Sequence, residues 1–214
     1  MTAQSYLKEW ERARKRMIEE QLKARDITSQ RVLEAMDSVP RHVFVAEAIA
    51  AKAYSDGPLP IGFGQTISQP YMVALMTQLL NPGPGDRVLE IGSGCGYQTA
   101  VLSRLCAEVL AIERIAQLRD GSLENLAKIG VSNVSVRLGD GRLGWPERAP
   151  FQGILVAAYA ERIPPELIGQ LAEGGRLVIP VGPESVQELV LAVKDHKGRL
   201  VKKAISGCRF VPLL

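Results

Sequence analysis

Soft metal ligands are scarce in this chain: 214 residues contain three cysteines and two histidines. Cys95, Cys106 and Cys208 lack metal-ligand spacing, and His42 and His196 have no ligand cluster around them, so no metal is expected. An odd number of unclustered cysteines points to reduced thiols in a reducing compartment. No window approaches about 18 consecutive apolar residues, and Met1 to Ile18 is charged and amphipathic with no apolar signal core. Neither a membrane contact nor a secretory leader is therefore expected, and the protein reads as cytoplasmic.

A surplus of one charge sign is also lacking, since 26 basic and 23 acidic residues leave a formal charge of +3. The basic cluster Arg12, Arg14, Lys15, Arg16 is interleaved with Glu9, Glu11, Glu19 and Glu20, which reads as a solvated helix face and not as a nucleic-acid footprint. Internal repeats and low-complexity tracts are absent. A hydrophobic fraction of 46% over this length suits one domain spanning 1–214. Within it the pattern separates an N-terminal helical segment (1–52), a loop (53–70) and an α/β core (71–214).

Leu7, Trp10, Met17, Ile18 and Leu22 recur at helical spacing between Ser5 and Ala24, and Val32, Leu33, Met36 and Val39 mark a second helix that Pro40 stops. From Ala53 to Pro70 the periodicity disappears, and Gly57, Pro58, Pro60, Gly62 and Gly64 make an irregular segment of the kind that often carries function. Pro70 suits the first position of the next helix. Strands and helices then alternate: strand 87–91, helix 97–105, strand 109–113, helix 115–129, strands 134–138 and 153–157, helix 165–171, strand 176–180. Stretches 189–193 and 200–205 read as a terminal antiparallel hairpin. The fold class expected is α/β: a doubly wound, mostly parallel Rossmann-like sheet with helices on both faces, the C-terminal hairpin and extra N-terminal helices.

The stretch Val88-Leu89-Glu90-Ile91-Gly92-Ser93-Gly94-Cys95-Gly96-Tyr97 runs a strand into glycines at alternate positions. Glycine backbone can take positive φ and approach a ligand closely. Dinucleotide loops read G-x-G-x-x-G, but Tyr97 stands where the third glycine would be, which disfavours a nicotinamide enzyme. The spacing Glu90-x-Gly92-x-Gly94-x-Gly96 resembles the first motif of S-adenosylmethionine methyltransferases. In open sheets ligands bind beyond the strands' carboxyl ends. Glu113 at the next such end could accept hydrogen bonds from both ribose hydroxyls, and Asp140 or its neighbouring backbone could meet an adenine amino group. Asp140 could equally cap a helix. A methyltransferase for another acceptor, or a donor-sensing protein without turnover, shares these features.

The run Leu59-Pro60-Ile61-Gly62-Phe63-Gly64-Gln65-Thr66-Ile67-Ser68-Gln69-Pro70-Tyr71-Met72 is narrower in meaning: it closely resembles the substrate loop of the protein-L-isoaspartate O-methyltransferases. Similar stretches are Val39-Pro40-Arg41, 88–99, Gly139-Asp140-Gly141-Arg142, Ala149-Pro150-Phe151, 174–177, Pro180-Val181-Gly182 and 209–213, so the likeness covers nearly the whole chain. It implies transfer of a methyl group from S-adenosylmethionine (leaving S-adenosylhomocysteine) to the free α-carboxylate of L-isoaspartyl residues in damaged proteins and peptides, beginning their conversion through a succinimide to aspartyl. A carboxylate of pKa near ~4 is already ionised, so alignment and not a general base is the task. The resemblance implies Ser68 as the catalytic residue, donating a hydrogen bond to one carboxylate oxygen. A covalent serine is not expected, because neither histidine stands in a triad context. Capping of the following helix is the alternative for Ser68, although Gln69 holds the strict cap position.

The same resemblance implies substrate contacts from Thr66, Ile67, Ser68 and Val211. It implies cofactor contacts from Gln65, Thr66, Ile67, Ser68, Glu90, Gly92, Ser93, Gly94, Gly96, Glu113, Arg114, Asp140 and Gly141. It further implies broad sequence tolerance, a monomer, no nucleic-acid partner, and an exchange in the order of the last two strands relative to other methyltransferases. The chain departs from the family at Tyr159, bulky where small residues and prolines are usual. It also departs at Cys95, in place of serine or threonine, and at Leu214, which directly follows an element that many relatives continue.

Overall fold

The computed structural model describes the backbone of residues 3–214 and the side chains of residues 8–214. Leu7, placed by periodicity on the buried side of the first helix, has its side chain outside the described residues. That helix, α1 (Ala3–Arg16), widens into a π-helical stretch, Met17–Lys23, in which Met17, Ile18 and Leu22 are buried. The Ala24 N–H closes it by donating to the Glu19 carbonyl at 3.2 Å. Such stretches are rare, and this one leads into Arg25 and Asp26, which pair with Asp56 and Tyr71. Helix α2 (Gln30–Ser38) buries Val32, Leu33, Ala35 and Met36, and 3₁₀ turns at Arg41–Phe44 and Glu47–Lys52 follow Pro40.

The segment expected to be irregular holds a small antiparallel hairpin, β1 (Leu59–Gly62) with β2 (Gln65–Ile67). Its tip, Gly62-Phe63-Gly64, lies wholly at positive φ. The prolines and glycines that make this turn possible also erase the alternation by which short strands are recognised. Helix α3 (Pro70–Leu80) begins on its proline and ends at Asn81 in the left-handed conformation.

Beyond it lie β3 (Arg87–Ile91), α4 (Tyr97–Ser103), β4 (Glu108–Glu113), α5 (Ala116–Lys128), β5 (Val134–Leu138), β6 (Phe151–Val156), α6 (Pro165–Gln170), β7 (Leu171–Val181), β8 (Gln187–Lys194) and β9 (Leu200–Cys208). Among the described residues these strands form a seven-stranded sheet of order β5-β4-β3-β6-β7-β8-β9. Pairing is parallel from β5 to β7 and antiparallel in the last two pairs, so the final two strands sit in chain order at the edge. β7 starts at Leu171, straight off α6, earlier than the apolar pattern indicates, because Glu173 to Gly175 interrupt that pattern.

Near-continuous apolar strands are what a sheet covered on both faces requires. Val88, Val109, Leu155 and Val178 face a core shared with α2, α3, α4 and the N-terminal helices, whereas Leu89, Leu110, Ile154 and Leu177 face one built around α6. Each such side chain contributes roughly 1.5–3 kcal/mol by leaving water. The exposed edge strand β9 carries Lys202 and Lys203, which discourage pairing with other chains. From β3 the chain winds one way through β4 and β5 and the other way through β6, so a crevice opens at the carboxyl end of β3. Among the described residues no helix is long and apolar enough to cross a membrane, and no His, Cys, Asp and Glu side chains cluster as a metal site.

Candidate active site

That crevice is a cleft of about 970 Å³, measured out to its open mouth, with the glycine turn on one side and the β1–β2 hairpin on the other. Gly92, Gly94 and Gly96 all have positive φ, of 84°, 53° and 91°. A Cβ on Gly94 would lie 3.2 Å from Ile61 Cδ1, so glycine is what lets the hairpin close against the turn. A Cβ on Gly96 would meet Ser122 Cβ at 3.2 Å and the Ser122 carbonyl at 3.3 Å, so this glycine seats α4 against α5 and does not border the cleft. Ser93 does border it, with a buried hydroxyl that has no hydrogen-bond partner.

Glu113 ends β4 and is nearly buried. Its Oε2 accepts from the Gly94 N–H at 2.9 Å, and its Oε1 from the Arg114 and Ile115 N–H groups at 2.8 and 3.0 Å. A carboxylate has about four lone-pair sites, so backbone groups already use most of them. Two ribose hydroxyls would have to take over the Gly94 bond. Ile112 and Ile115 supply apolar walls beside Glu113 that suit a flat ring.

Asp140 accepts from the Arg142 N–H at 2.8 Å and pairs with the Arg142 guanidinium at 2.7 Å, which holds its carboxyl below the usual range. Its side chain thus performs the capping role that the sequence left open, and Gly139 and Gly141 border the cleft in its place. Glu90 lies under the turn on the α3–α4 side of the sheet, fully buried, with neither carboxylate oxygen hydrogen-bonded. Burial pushes its carboxyl up to about 8; the nearby Thr99 hydroxyl, outside hydrogen-bond geometry, eases the shift, and Glu113 adds to it. Cys95 borders the cleft, but burial raises its thiol to about 11, which makes it unreactive.

Ser68 follows β2 on the opposite wall with Gln65, Thr66 and Ile67. Its carbonyl accepts from Arg41 Nη2 at 2.8 Å. Helix α3 takes Gln69 as its N-cap with no side-chain capping bond, and the one hydrogen bond described for Ser68 uses its carbonyl and not its hydroxyl. The Gln69 amide instead reaches Asp56 Oδ1 at 2.7 Å. The C-terminal segment closes one end, with Val211 to Leu214 on the cleft. It is held there by Tyr159, whose N–H donates to the Val211 carbonyl and whose carbonyl accepts from the Leu213 N–H, both at 2.8 Å. Tyr159 therefore acts through its backbone, and its ring does not line the cleft.

Of the substrate and cofactor contacts that the resemblance implies, the fold gathers all but Glu90, Gly96 and Asp140 around the cleft. Val73, Met76, Gln98 and Ala157 also border it and carry no local signal, since what they face comes from other elements. Only Gln98, a polar residue in the first turn after the glycines, could have been suspected. The donor set fits an adenosyl group with a charged amino-acid tail: an acidic strand end, a glycine cradle and an orphaned hydroxyl.

A family model described as Protein-L-isoaspartate(D-aspartate) O-methyltransferase (PCMT) matches residues 12–214. A protein-L-isoaspartate O-methyltransferase of Trichlorobacter lovleyi is 55% identical over 94% of this chain and 93% of its own length. The Geobacter metallireducens protein of the same name is 52% identical over 94% of each. Among solved structures, a protein-L-isoaspartate O-methyltransferase superposes with a TM-score of 0.85 at 30% identity over 93% of this chain, which spans 65% of that longer one. A Plasmodium falciparum beta-aspartate methyltransferase (PCMT) in complex with S-adenosyl-L-homocysteine superposes with a TM-score of 0.82 at 29% identity, over 94% of this chain and 98% of that one.

Proposed function

The chain belongs to the protein-L-isoaspartate O-methyltransferase family, and on that premise we propose that it repairs damaged proteins by methylating the free α-carboxylate of their L-isoaspartyl residues, with Ser68 as the catalytic residue. The observation that carries this reading is the meeting of the glycine turn, Glu113 and the Gln65–Ser68 wall in one cleft. When bound there, S-adenosylmethionine supplies a methyl group made electrophilic by its sulfonium. Glu113, the Gly92–Gly94 backbone, the Ser93 hydroxyl and the backbone of Gly139 and Gly141 are the groups that would hold it.

The chain's own chemical task is small. The acceptor carboxylate has an ordinary pKa near ~4 and needs no base, and His42 could not serve as one. It stacks on Trp10 with ring centroids 4.7 Å apart and its Nδ1 sits 2.9 Å from the Tyr54 hydroxyl, away from the cleft. Ser68 donates one hydrogen bond to a carboxylate oxygen and leaves the other free to attack, which converts binding into alignment. Thr66, Ile67 and Val211 border the same end and would contact the peptide mainly through backbone, which favours broad sequence tolerance. The neighbouring backbone nitrogen then displaces methanol from the ester to close a succinimide, without further help from the protein. The three free thiols fit a reducing compartment such as the cytoplasm, and the charged edge of β9 fits a monomer.

Incubation with labelled S-adenosylmethionine and a matched pair of peptides, one isoaspartyl and one aspartyl, tests the reading. Label is expected in the isoaspartyl peptide alone, and label in neither would sink it.

A further inference from the structure

Building on the assignment of Ser68, we infer that Arg41 is a positioning residue for methyl transfer: its guanidinium fastens both ends of the loop that carries Ser68 and sets that loop against the helix following the glycine turn. Arg41 is fully buried, among the described residues no carboxylate pairs with it, and its Nη1 has no hydrogen-bond partner. Its Nε donates to the Ala53 carbonyl at 2.7 Å and its Nη2 to the Ser68 carbonyl at 2.8 Å. Ala53 and Ser68 are the two feet of the segment that contains the β1–β2 hairpin. The guanidinium carbon lies 4.8 Å from the centroid of the Tyr97 ring, and Tyr97 both opens α4 and borders the cleft. Phe44, from the same 3₁₀ turn as Arg41, packs edge-on against that ring at 5.5 Å.

A buried cation without a counter-ion is costly, and a core that needed only filling would be better served by an apolar side chain. The guanidinium plane supplies what such a side chain cannot: two charge-assisted hydrogen bonds held at a fixed angle to each other. A two-stranded hairpin is marginal alone, so the position of Ser68 depends on what holds its feet. Near-attack geometry is sensitive to displacements on the order of 1 Å, whereas Glu113 and the glycine turn grip the cofactor from the other wall. Loosening Arg41 therefore acts on transfer and leaves cofactor binding in place.

The test uses the full chain with Arg41→Lys and Arg41→Ala. Turnover is measured on an isoaspartyl peptide, and affinity for S-adenosylhomocysteine by calorimetry. Arg41→Lys keeps a charge without the fork, and is expected to bind S-adenosylhomocysteine within about threefold of the parent while kcat falls roughly 30-fold or more, by more than KM changes. Guanidinium ion, but not sodium ion or urea at equal concentration, is expected to restore part of the turnover of Arg41→Ala. Retention of kcat in Arg41→Lys, a parallel loss of S-adenosylhomocysteine affinity, failure of either variant to fold, or absence of guanidinium rescue would each overturn this role. Failure of the unaltered chain to methylate the isoaspartyl peptide would instead overturn the assignment of Ser68 beneath it.

Discussion

At the scale of single residues, the two walls of the cleft divide the work. Removing the Ser68 hydroxyl takes away one hydrogen bond to a charged group, which is about 1.5–3 kcal/mol. Ser68→Ala is therefore expected to lower kcat roughly 10- to 100-fold with calorimetric affinity for S-adenosylhomocysteine almost unchanged. Glu113→Ala is expected to show the reverse, a loss of affinity of about 10- to 100-fold, because it removes the strand-end acceptor and the group that holds the Gly94 N–H. Equal loss of affinity in both variants would mean the walls are not separable. Glu113 and the glycines were legible in the sequence because an apolar strand runs into each of them. Asp140 was ambiguous because a short acid two residues before an arginine can bind or cap, and the choice rests on the local backbone conformation, which here turns it to the Arg142 N–H. Arg41 was visible as part of Val39-Pro40-Arg41, but nothing local shows that its partner carbonyl lies 27 residues on.

At the scale of elements, the seating of α4 on α5 sets where the glycine turn stands. Gly96 is at φ 91°, and a Cβ would press on Ser122. Gly96→Ala is expected to cost about 1–3 kcal/mol of stability, seen as a fall of several degrees in Tm. An unchanged melt would show that the two helices can move apart without strain. The segment leading into the hairpin is braced from outside as well: Arg25 pairs with Asp56 and the Gln21 amide donates to the Tyr54 carbonyl at 2.8 Å, while Tyr71 of α3 donates to Asp26 at 2.7 Å. The π-helical stretch carries Gln21 and leads directly into Arg25 and Asp26, the N-terminal partner in each of these bonds. Apolar spacing signals a helix over Met17–Lys23 but cannot distinguish its hydrogen-bond register, and the hairpin itself was hidden by the residues that turn it.

At the scale of the whole molecule, Glu90 ties stability to pH. Its folded pKa of about 8 lies above the ordinary value of 4.5. Between these two the folded state holds a proton that the unfolded chain has released, so stability is full below the lower value and falls as pH rises through the higher one. The slope in that window is up to about 1.4 kcal/mol per pH unit. Thermal melts between pH 5 and 8.5 are expected to show this decline in the parent and a flatter profile in Glu90→Gln, which keeps the shape and removes the titration. Equal slopes would place the proton elsewhere.

The sequence by itself determined the α/β alternation, the doubly covered sheet, the glycine turn with its strand-end acid, and the family to which the substrate loop points. Each of these is written in neighbouring residues, through periodicity, turn chemistry or a contiguous motif. Only the tertiary structure decided that the final strands lie in chain order, that Tyr159 serves through its backbone, and that Arg41 joins Ala53 to Ser68. Those outcomes depend on which distant groups compete for the same hydrogen bonds once the sheet has brought them together, and adjacency along the chain carries no record of that competition.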